Sequence, residues 1–229
     1  MFVAIVTGSS SGIGQAITEK LLEMNYKVYG IARRKQESSE NFFPVECDIT
    51  HTVTLEKSIQ DILKTDEISL LINSAGIGKF EPHEELSQRT IIDMTFLNLT
   101  TPMLLTNTLL RSLKKSDGYV ININSIEALR ASKFAGVYSA TKAGLKAFGD
   151  ALFEETRKSA LSVTNINPDM TQSSFYDELR FDVSDKEDEK LFASDIADAI
   201  KHILSMRKGA VVSEYTIRSL KFGISKKKN

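Results

Sequence analysis

The sequence predicts a doubly wound α/β fold, with one parallel sheet of about seven strands and helices packed on both faces. Two observations lead to this prediction. Short, continuous apolar runs alternate with helical segments that are apolar on one face, as expected when helices bury both faces of a parallel sheet. A glycine-rich turn follows the first apolar run at once, and polar residues able to do chemistry follow several others, where ligands bind in such sheets.

The predicted elements alternate along the whole chain. Strands are predicted for the continuously apolar runs at residues 2–6, 27–32, 43–47, 69–73, 119–123, 162–166 and 210–217. Helices are predicted where apolar residues recur at helical spacing, at residues 13–24, 54–63, 87–115, 138–158 and 195–204. We expect an interruption of the third helical region near Asn98 and Pro102, because proline disfavours helix at the residue before it. The polar, acidic residues 169–189 are expected to form a loop or short helices over the site.

Length and composition favour a single domain over residues 1–229, with neither nucleic acid nor membrane as a partner. The formal net charge of −1 indicates neither of these partners. The single cysteine, Cys47, is typical of a reducing cytoplasm, and three scattered histidines indicate no metal site. No apolar run is long enough for a membrane span, and no signal peptide precedes the first strand. We therefore expect a cytoplasmic protein without metal, ending in a frayed, solvated tail at residues 226–229.

The glycine-rich turn at residues 7–14 predicts a dinucleotide site. Gly8 permits a tight turn after the first strand, Gly12 a close approach of a pyrophosphate, and Gly14 close packing of helix on strand. The helix that begins at Ile13 then presents free N–H groups and a partial positive charge. Such a strand–turn–helix unit is of the Rossmann type; a glycine-rich turn without a ligand is the alternative.

The end of the second strand indicates which dinucleotide binds. A site that selects NAD places an acidic side chain there for the ribose 2′-hydroxyl, whereas this chain has Arg33 and Arg34, which attract a 2′-phosphate. Ser10 and Ser11 add hydroxyl donors. The sequence therefore favours NADP(H) over NAD(H), with solvated loop charges as the other interpretation of the arginines. Asp48, after the third strand, is placed either to accept from the adenine amino group or to cap the next helix.

Ser125, Tyr138 and Lys142 form a predicted proton-transfer site. Tyr138 and Lys142 are four residues apart, so they share one face of a helix. We expect the ammonium to lower the pKa of the phenol, so that Tyr138 can protonate a developing alkoxide. Ser125, at the end of the fifth strand, can donate to the same oxygen. A surface tyrosine beside a solvated lysine is the usual interpretation of such a pair by itself, but the serine and the glycine turn favour chemistry.

The chain resembles the short-chain dehydrogenases/reductases from its first strand to its last. The matching motifs are the turn at residues 7–14, Asn73-Ser74-Ala75-Gly76 after the fourth strand, Asn98, Ser125, Tyr138 and Lys142. The resemblance implies that Tyr138 is the catalytic acid/base, that Ser125 positions the carbonyl and that Lys142 also holds the nicotinamide ribose. It implies as well that Asn98 anchors a water in a proton relay from Lys142. The expected cofactor contacts are Gly8, Ser10, Ser11, Gly12, Ile13, Gly14, Arg33, Arg34, Asp48, Ile49, Asn73, Ser74, Ala75, Gly76, Tyr138, Lys142, Pro168, Thr171 and Ser173.

Three stretches depart from the family pattern. Ser74 replaces the second asparagine of the usual N-N-A-G turn, which should leave the turn intact. Asp169 follows Pro168 where the family has glycine, and Ser173 replaces a threonine but keeps a hydroxyl for the cofactor. The end of the chain lacks the usual glycine-rich turn and is more similar to members that oxidise hydroxy acids or reduce assorted carbonyls than to 3-ketoacyl-carrier reductases. Residues 169–190 are predicted to cover the substrate.

These observations predict an NADP(H)-dependent oxidoreductase that interconverts a carbonyl and an alcohol on a small molecule. A 3-hydroxy acid dehydrogenase and a 3-oxoacyl-[acyl-carrier-protein] reductase are alternatives within the class, and the acidic residues 182–189 argue against the carrier protein. Arg130 and Lys133 could receive a substrate carboxylate, although exposed loop charges are the simpler interpretation. A non-enzymatic dinucleotide-sensing protein is the alternative outside the class; the complete set of catalytic residues argues against it.

A homodimer or homotetramer is predicted from two helical faces. The helix that begins at Tyr138 carries more small and apolar residues than one sheet face needs, namely Ala143, Ala147, Phe148, Ala151 and Leu152. Together with residues 102–113 it resembles a helical pairing surface. The family resemblance implies dimers or tetramers built on these two helices, through an isologous interface.

Overall fold

Nine strands lie within residues 1–227, the part of the chain that the computed structural model describes. They are β1 (Val3–Thr7), β2 (Lys27–Ala32), β3 (Phe42–Glu46), β4 (Leu70–Asn73), β5 (Tyr119–Ile123), β6 (Ser162–Pro168), β7 (Phe181–Val183), β8 (Glu214–Ile217) and β9 (Ile224–Lys226). Seven of them form one parallel sheet in the order β3-β2-β1-β4-β5-β6-β8. The strand order reverses between β1 and β4, which is the point at which ligands bind in such sheets. The predicted fold class is confirmed.

Helices cover both faces of this sheet. They are α1 (Gly12–Glu23), α2 (Thr52–Leu63), α3 (Gln88–Thr95), α4 (Thr101–Lys115), α5 (Gly136–Thr156) and α6 (Ala193–Leu204). Residues of α1 and α6 pack on one face, and residues of α2, α4 and α5 pack on the other. Neighbouring residues of β1 serve opposite faces, since Ile5 packs in one cluster and Val6 in the other. Among the described residues, no helix has the length and apolarity to cross a bilayer.

The predicted interruption of the third helical region is a π turn at Phe96–Thr100, between α3 and α4. The chain stays helical through Pro102, which lies in the first turn of α4. Because proline has no N–H, the carbonyl of Asn98 could not be paired in the ordinary α-helical way, and a widened turn at this point accommodates that loss. The turn places Asn98, which is fully buried, beneath the sheet's ligand-binding edge.

A row of buried asparagines crosses three neighbouring strands. Asn73 on β4 lies opposite Asn122 on β5, which in turn lies opposite Asn165 on β6. The Asn73 amide donates to Asn122 Oδ1 (2.9 Å), and the Asn122 amide donates to Asn165 Oδ1 (3.2 Å). A Cβ on Gly149 of α5 would lie 2.4 Å from Asn165 Oδ1, so this glycine lets the helix pack directly on the row.

The structure corrects the sequence analysis at the C-terminal end. The last strand of the main sheet covers Glu214–Ile217 and does not begin at residue 210, because only these residues pair with β6. Residues 226 and 227 are not frayed: β9 pairs antiparallel with β7, and the Lys227 N–H donates to the carbonyl of Arg180 (3.2 Å). The rest of the predicted tail, residues 228–229, lies outside the described residues. β7 and β9 are more than forty residues apart in the sequence, and neither carries a motif that would predict their pairing.

Candidate active site

The turn between β1 and α1 needs glycine at three positions. Gly8 and Gly12 have φ values of 72° and 55°, in the left-handed region that side chains rarely adopt. A Cβ on Gly12 would lie 2.9 Å from the Cβ of Ser173. A Cβ on Gly14 would lie only 2.2 Å from the carbonyl oxygen of Gly8. The first turn of α1 therefore packs against the loop at a distance that no larger residue allows.

Thr7, the last residue of β1, ties this turn to the end of β4. Its hydroxyl accepts hydrogen bonds from the N–H groups of Ser74 (3.0 Å) and Ala75 (3.1 Å). It also donates to the carbonyl of Ile72 (3.3 Å). Sequence reasoning missed this role, for which the only signal is a hydroxyl at the last position of β1. The contact fixes the two loops on either side of the point where the strand order reverses.

A cleft of about 900 Å³ runs along the carboxyl ends of the strands and joins the glycine turn to Tyr138. Of the predicted site residues, all except Asn73 and Asn98 line it, namely Gly8, Ser10, Ser11, Gly12, Ile13, Gly14, Arg33, Arg34, Asp48, Ile49, Ser74, Ala75, Gly76, Ser125, Tyr138, Lys142, Pro168, Thr171 and Ser173. Ser11 stands at the N-cap of α1, but its side chain makes no capping bond, so it does not compete for the first N–H groups. Within residues 1–227, no group of three or more potential ligand side chains could hold a metal ion.

Arg33, Arg34 and Asp48 lie at one end of the cleft, after β2 and β3. Both arginines are exposed. Asp48 Oδ1 accepts from the N–H (2.9 Å) and the hydroxyl (2.7 Å) of Thr50, so the carboxylate stabilises the turn before α2, whose N-cap is His51. Partial burial opposes ionisation, but the bonds from Thr50, with His51 and Arg33 nearby, outweigh it and hold the pKa of Asp48 below its usual value. Asp48 was predicted either to contact the adenine or to cap the next helix. Its observed hydrogen bonds lie within the turn before α2, and the adenine contact stays a prediction.

Ser125, Tyr138 and Lys142 meet at the other end of the cleft. Ser125 follows β5, and its hydroxyl accepts from the N–H of Glu127 (3.2 Å) at the start of a single 3₁₀ turn. Tyr138 and Lys142 project from the first two turns of α5, with the Lys142 Nζ 5.8 Å from the centre of the Tyr138 ring. The lysine is 5% exposed and donates to the carbonyl of Ile123 (2.9 Å). Burial lowers the pKa of Lys142 to about 8.

The predicted direction of the Tyr138 pKa is wrong. The residue is 7% exposed, and its ring lies beside those of Phe80 and Phe175, with centres 5.2 Å and 5.8 Å away. Burial disfavours the phenolate and raises the pKa of Tyr138 to about 12. The Ser125 hydroxyl acts in the opposite direction and the Glu127 carboxylate in the same one. The aromatic surroundings therefore outweigh the proximity of the lysine on which the prediction depended.

Asn98 lies beneath the cleft and holds the loop after β4. Its Oδ1 accepts from the N–H of Ile77 (2.9 Å), and its Nδ2 donates to the carbonyl of Ile77 (2.8 Å) and to the hydroxyl of Thr141 (3.2 Å). A Cβ on Gly76 would lie 3.2 Å from Asn98 Oδ1 and 3.5 Å from Lys142 Nζ. The structure thus makes Asn98 and Lys142 close neighbours across Gly76. Asn73 lies deeper, in the asparagine row, and its side chain does not reach the cleft wall.

Glu127 is a buried carboxylate that sequence reasoning missed. It accepts from the hydroxyl (2.7 Å) and N–H (3.0 Å) of Ser132 and from the hydroxyl of Ser139 (3.1 Å). Arg130 Nε donates to it as well (3.2 Å). Ser139 follows Tyr138 directly on α5, so the carboxylate couples the loop after β5 to the helix that carries the tyrosine. An acidic residue in an otherwise apolar stretch, two positions after Ser125, was the available signal.

Asp169, which stands where the family has glycine, is held between two arginines. Its side chain is 3% exposed; Oδ2 accepts from Arg218 Nε (3.0 Å), and Oδ1 lies 3.8 Å from Arg130 Nη2. Arg218 directly follows β8, so this pair fastens the segment after β6 to the edge of the sheet. Arg130, predicted as a candidate receptor for a substrate carboxylate, is committed to Glu127 and Asp169.

Residues 169–190 extend from the glycine turn to Tyr138. Ser173 lies against Gly12, and its hydroxyl donates to the carbonyl of Thr171 (3.3 Å). Phe175 packs on Tyr138. The segment is more regular than the predicted loop, since β7 within it pairs with β9 and Thr171 forms a parallel bridge with Leu191. It closes one side of the cleft.

The reversed strand order, the glycine turn and the paired tyrosine and lysine define an oxidoreductase with a Rossmann-type nucleotide site. Comparison with known proteins gives the family. The sequence profile described as short chain dehydrogenase matches residues 2–184. The chain belongs to this family, and it is an oxidoreductase that uses a nucleotide cofactor.

Curated relatives cover nearly the same length. An uncharacterised oxidoreductase of Staphylococcus epidermidis is 32% identical over 227 residues, which are 94% of this chain and 96% of that protein. An uncharacterised oxidoreductase of Staphylococcus aureus is 31% identical over 229 residues, with the same two shares. These relatives support the reaction class and leave the substrate open.

Solved structures share the fold over almost the whole chain. An alcohol dehydrogenase from the archaeon Thermococcus sibiricus, complexed with 5-hydroxy-NADP, superposes with a TM-score of 0.86 at 25% identity, covering 96% of this chain and 97% of that one. A 4-hydroxyisoleucine dehydrogenase complexed with NADH gives a TM-score of 0.83 at 21% identity, with the same coverage. A 3-ketoacyl-(acyl-carrier-protein) reductase from Brucella melitensis, complexed with NADH, gives 0.82 at 20% identity, covering 94% and 96%. At their level of identity, the last two show the fold alone.

Proposed function

We propose that the protein is an NADP(H)-dependent oxidoreductase that interconverts a carbonyl and an alcohol on a small molecule, with Tyr138 as acid/base. One observation carries the proposal: Ser125, Tyr138 and Lys142 line the same cleft as the glycine turn. A dinucleotide that binds across the strand ends extends from a phosphate-binding turn to a proton donor, as this cleft does. Membership of the family supports the reaction type.

The residues of the cleft fit a dinucleotide. At the turn, the close packing of Gly14 on Gly8 and the unused capping position of Ser11 leave backbone N–H groups for a pyrophosphate. In this proposal Asp48 and Ile49 contact the adenine, and Lys142 contacts the nicotinamide ribose. The loops that bear Ser74, Ala75, Gly76, Pro168, Thr171 and Ser173 complete the wall. When bound, the nicotinamide supplies hydride transfer to or from the carbonyl carbon.

Tyr138 gives the proton to the carbonyl oxygen in the reductive direction. Its pKa of about 12 keeps the phenol protonated at neutral pH, as a donor must be. The Ser125 hydroxyl donates a hydrogen bond to the same oxygen and stabilises the negative charge that develops there. Lys142 carries a proton below a pH of about 8 and, with Asn98 beside it, restores the proton that Tyr138 gives up. In the oxidative direction Tyr138 must first lose its own proton, which the Lys142 ammonium favours, and the phenolate then takes the proton of the alcohol.

Arg33 and Arg34 support NADP(H) as the cofactor. Both line the cleft just after β2, and both are exposed to an incoming phosphate. A charge-assisted hydrogen bond to the 2′-phosphate contributes about 1.5–3 kcal/mol. The Thermococcus alcohol dehydrogenase, which is complexed with 5-hydroxy-NADP, points the same way, although other structures of this fold are complexed with NADH. Ser10 and Ser11 line the same cleft and could add hydroxyl donors to the phosphate.

Three further assignments complete the proposal. Residues 169–190 cover the substrate. Their contacts with Gly12, through Ser173, and with Tyr138, through Phe175, support this assignment. The chain pairs into a homodimer or homotetramer through α4 and α5, where Ala143, Ala147 and Ala151 are exposed. Leu152, predicted for that surface, is buried in the core and takes no part in it. A single cysteine supports a cytoplasmic protein.

Replacing Tyr138 by phenylalanine tests the proposed function. The substitution removes one hydroxyl and keeps the ring between Phe80 and Phe175. Turnover of a carbonyl, followed by loss of NADPH absorbance, should fall by about 10²–10⁴. The dissociation constant of NADPH should change little, because the phenol acts on the substrate oxygen in the transition state. If the variant keeps most of the wild-type rate, the mechanism is wrong; if the wild type binds NADPH and reduces no carbonyl in a broad panel, the protein is a dinucleotide sensor.

A further inference from the structure

Aromatic rings from two separate segments pack around Tyr138, and two of them, Phe175 and Tyr176, line the cleft. Phe80, after β4, and Phe175, after β6, both pack on the Tyr138 ring. Behind them, Phe181 packs against Phe80 with ring centres 5.2 Å apart, and Tyr176 packs against Phe175 at the same distance. Leu179, Val183 and Met170 join the same cluster. A group that lies next to a carbonyl at Tyr138, on the side of Phe175, therefore faces carbon.

The wall is close to the backbone as well as to the tyrosine. A Cβ on Gly78 would lie 2.4 Å from Phe175 Cζ and 2.9 Å from Phe80 Cε2. The rings therefore pack directly on the loop after β4, and little water reaches the tyrosine that they surround. A charged group buried in such surroundings without a partner costs several kcal/mol, whereas an apolar group gains from being there.

Apart from Lys142, which the proposed function assigns to the ribose and to proton supply, most of the cations described near this wall are already paired. Lys79 lies 3.1 Å and Arg180 3.8 Å from Glu81 Oε1, and Arg89, in the cleft wall, donates to Asp93 (2.8 Å). Arg130 and Arg218 are held by Asp169, as described above. Lys133, the other predicted receptor for a carboxylate, is exposed and lies over the ring of Phe134. A substrate carboxylate would have to displace one of these partners.

The cleft wall also contains four carboxylates, Asp93, Asp169, Asp177 and Glu178. Asp93 and Asp169 are paired with arginines, whereas Asp177 and Glu178 are exposed and bring negative charge to the cleft. An anionic substrate would meet this charge as well as the apolar rings, and a neutral substrate is disfavoured by neither.

We infer that the substrate is a neutral carbonyl compound with an aromatic or similarly bulky apolar group next to the carbonyl, seated against Phe175 and Leu179, which line the cleft. The inference rests on the proposed function and names the substrate class of the same site. In the reductive direction a hydride reaches the carbonyl carbon, a proton from Tyr138 reaches the oxygen, and the products are the neutral secondary or primary alcohol and NADP⁺.

Two aryl ketones of similar shape, one neutral and one anionic, test the inference, and the binding measurement below removes the difference in their chemical reactivity. Methyl benzoylformate and benzoylformate share an aryl ketone, and one carries an ester where the other carries a carboxylate. With saturating NADPH, we expect kcat/KM to be at least tenfold higher for the ester. Equal or faster reduction of the acid would overturn the inference, and would favour the hydroxy-acid alternative.

A binding measurement separates this inference from the proposed function. Methyl mandelate and mandelate, titrated calorimetrically into the protein saturated with NADPH, report the preference without turnover, because neither an alcohol nor NADPH can accept a hydride. Tighter binding of the ester supports the substrate class even if neither ketone is reduced, which would count against the proposed function alone. Equal binding, tighter binding of mandelate or binding of neither ligand contradicts the substrate class.

Substitutions in the wall locate the preference. Phe175→Ala and the milder Phe175→Leu should raise KM for methyl benzoylformate, by about tenfold for alanine and less for leucine, with an unchanged NADPH dissociation constant. Phe43→Ala is the matched control, because Phe43 lies on β3 against Tyr29, away from this end of the cleft. An effect of Phe43→Ala as large as that of Phe175→Ala, or no effect of either Phe175 variant on KM, would overturn the assignment.

Discussion

The two ends of the cleft are built in different ways. At the glycine end, a few consecutive residues between β1 and α1 shape the site through backbone conformation, and Thr7 fixes them to the neighbouring strand. At the tyrosine end, side chains from distant segments meet. Phe80 and Phe175 pack on Tyr138, and Arg130 contacts both Glu127 and Asp169. The first end is encoded locally and the second by contacts distant in sequence. Substitutions should therefore separate cofactor binding from turnover.

Gly14→Ala should break the glycine end most strongly. The added Cβ would lie 2.2 Å from a backbone oxygen, so α1 must move away from the turn. Overpacking of this kind costs about 1–3 kcal/mol, and we expect the NADPH dissociation constant to rise by about 10–100-fold and Tm to fall. Gly136→Ala is the control, since nothing lies within 4 Å of its added Cβ. Similar losses in both variants would mean that the clash at Gly14 is not the cause.

Arg33→Asp should reverse the cofactor preference without touching the tyrosine end. We expect the wild type to bind NADPH at least tenfold more tightly than NADH, because charge-assisted bonds to the 2′-phosphate contribute about 1.5–3 kcal/mol. The carboxylate of the variant should repel that phosphate and favour NADH. Arg207→Asp makes the same charge change at an exposed position outside the cleft and should leave the preference unchanged. Equal affinities of the wild type for both cofactors, measured by fluorescence titration, would remove the basis for NADP(H).

The pH dependence of reduction should report the tyrosine end. Burial lowers the pKa of Lys142 to about 8, so its ammonium is lost as pH rises through that value. Tyr138, with a pKa of about 12, stays protonated there and is not the cause. We expect kcat/KM to be level below pH 8 and to fall about tenfold per pH unit above it. Lys142→Arg keeps the charge and should lack this break, at a lower rate; a wild-type profile that stays level to pH 10 would contradict the role of the ammonium.

The smallest effect should come from the C-terminal strand. Ending the chain after Lys221 deletes β9, which pairs with β7. It also deletes Lys227, whose Nζ donates to the carbonyl of Asp177 (3.0 Å). Each lost hydrogen bond costs about 0.5–1.5 kcal/mol, and we expect KM for the carbonyl to rise about three- to tenfold with NADPH affinity unchanged. Lys227→Ala should give part of this effect. Lys226→Ala, at the exposed neighbouring position, should give none; a rise of the NADPH dissociation constant instead of KM would show that the strand acts elsewhere.

The same contrast explains what sequence could predict. The order of strands and helices, the glycine turn and the spacing of Tyr138 and Lys142 are local patterns, and the structure shows the fold that they predict. An interruption near Asn98 and Pro102 was also predictable, because proline disfavours helix at the residue before it, and it takes the form of the π turn at Phe96–Thr100. These features depend on a few neighbouring residues each.

Long-range contacts were out of reach. The pairing of β7 with β9, the Thr7 hydroxyl between two loops and the arginines around Asp169 join residues whose separation no motif encodes. The Tyr138 pKa shows how a missed long-range contact led to a wrong prediction. Sequence reasoning considered the lysine one helical turn away and could not know that Phe80 and Phe175 would exclude water from the ring.

The row of asparagines across β4, β5 and β6 has a consequence for how the chain folds. In a sheet, a slip of one residue turns every side chain to the other face, and here it would separate the Asn122 amide from Asn73 and Asn165. Each buried amide without a partner costs about 1–3 kcal/mol, so mispaired strands are disfavoured at the centre of the sheet. Asn73 directly precedes the loop of Gly76, and Asn122 lies shortly before Ser125. The amide row therefore selects the strand register, and the same register sets the loops of Gly76 and Ser125 beside one another at the edge of the sheet.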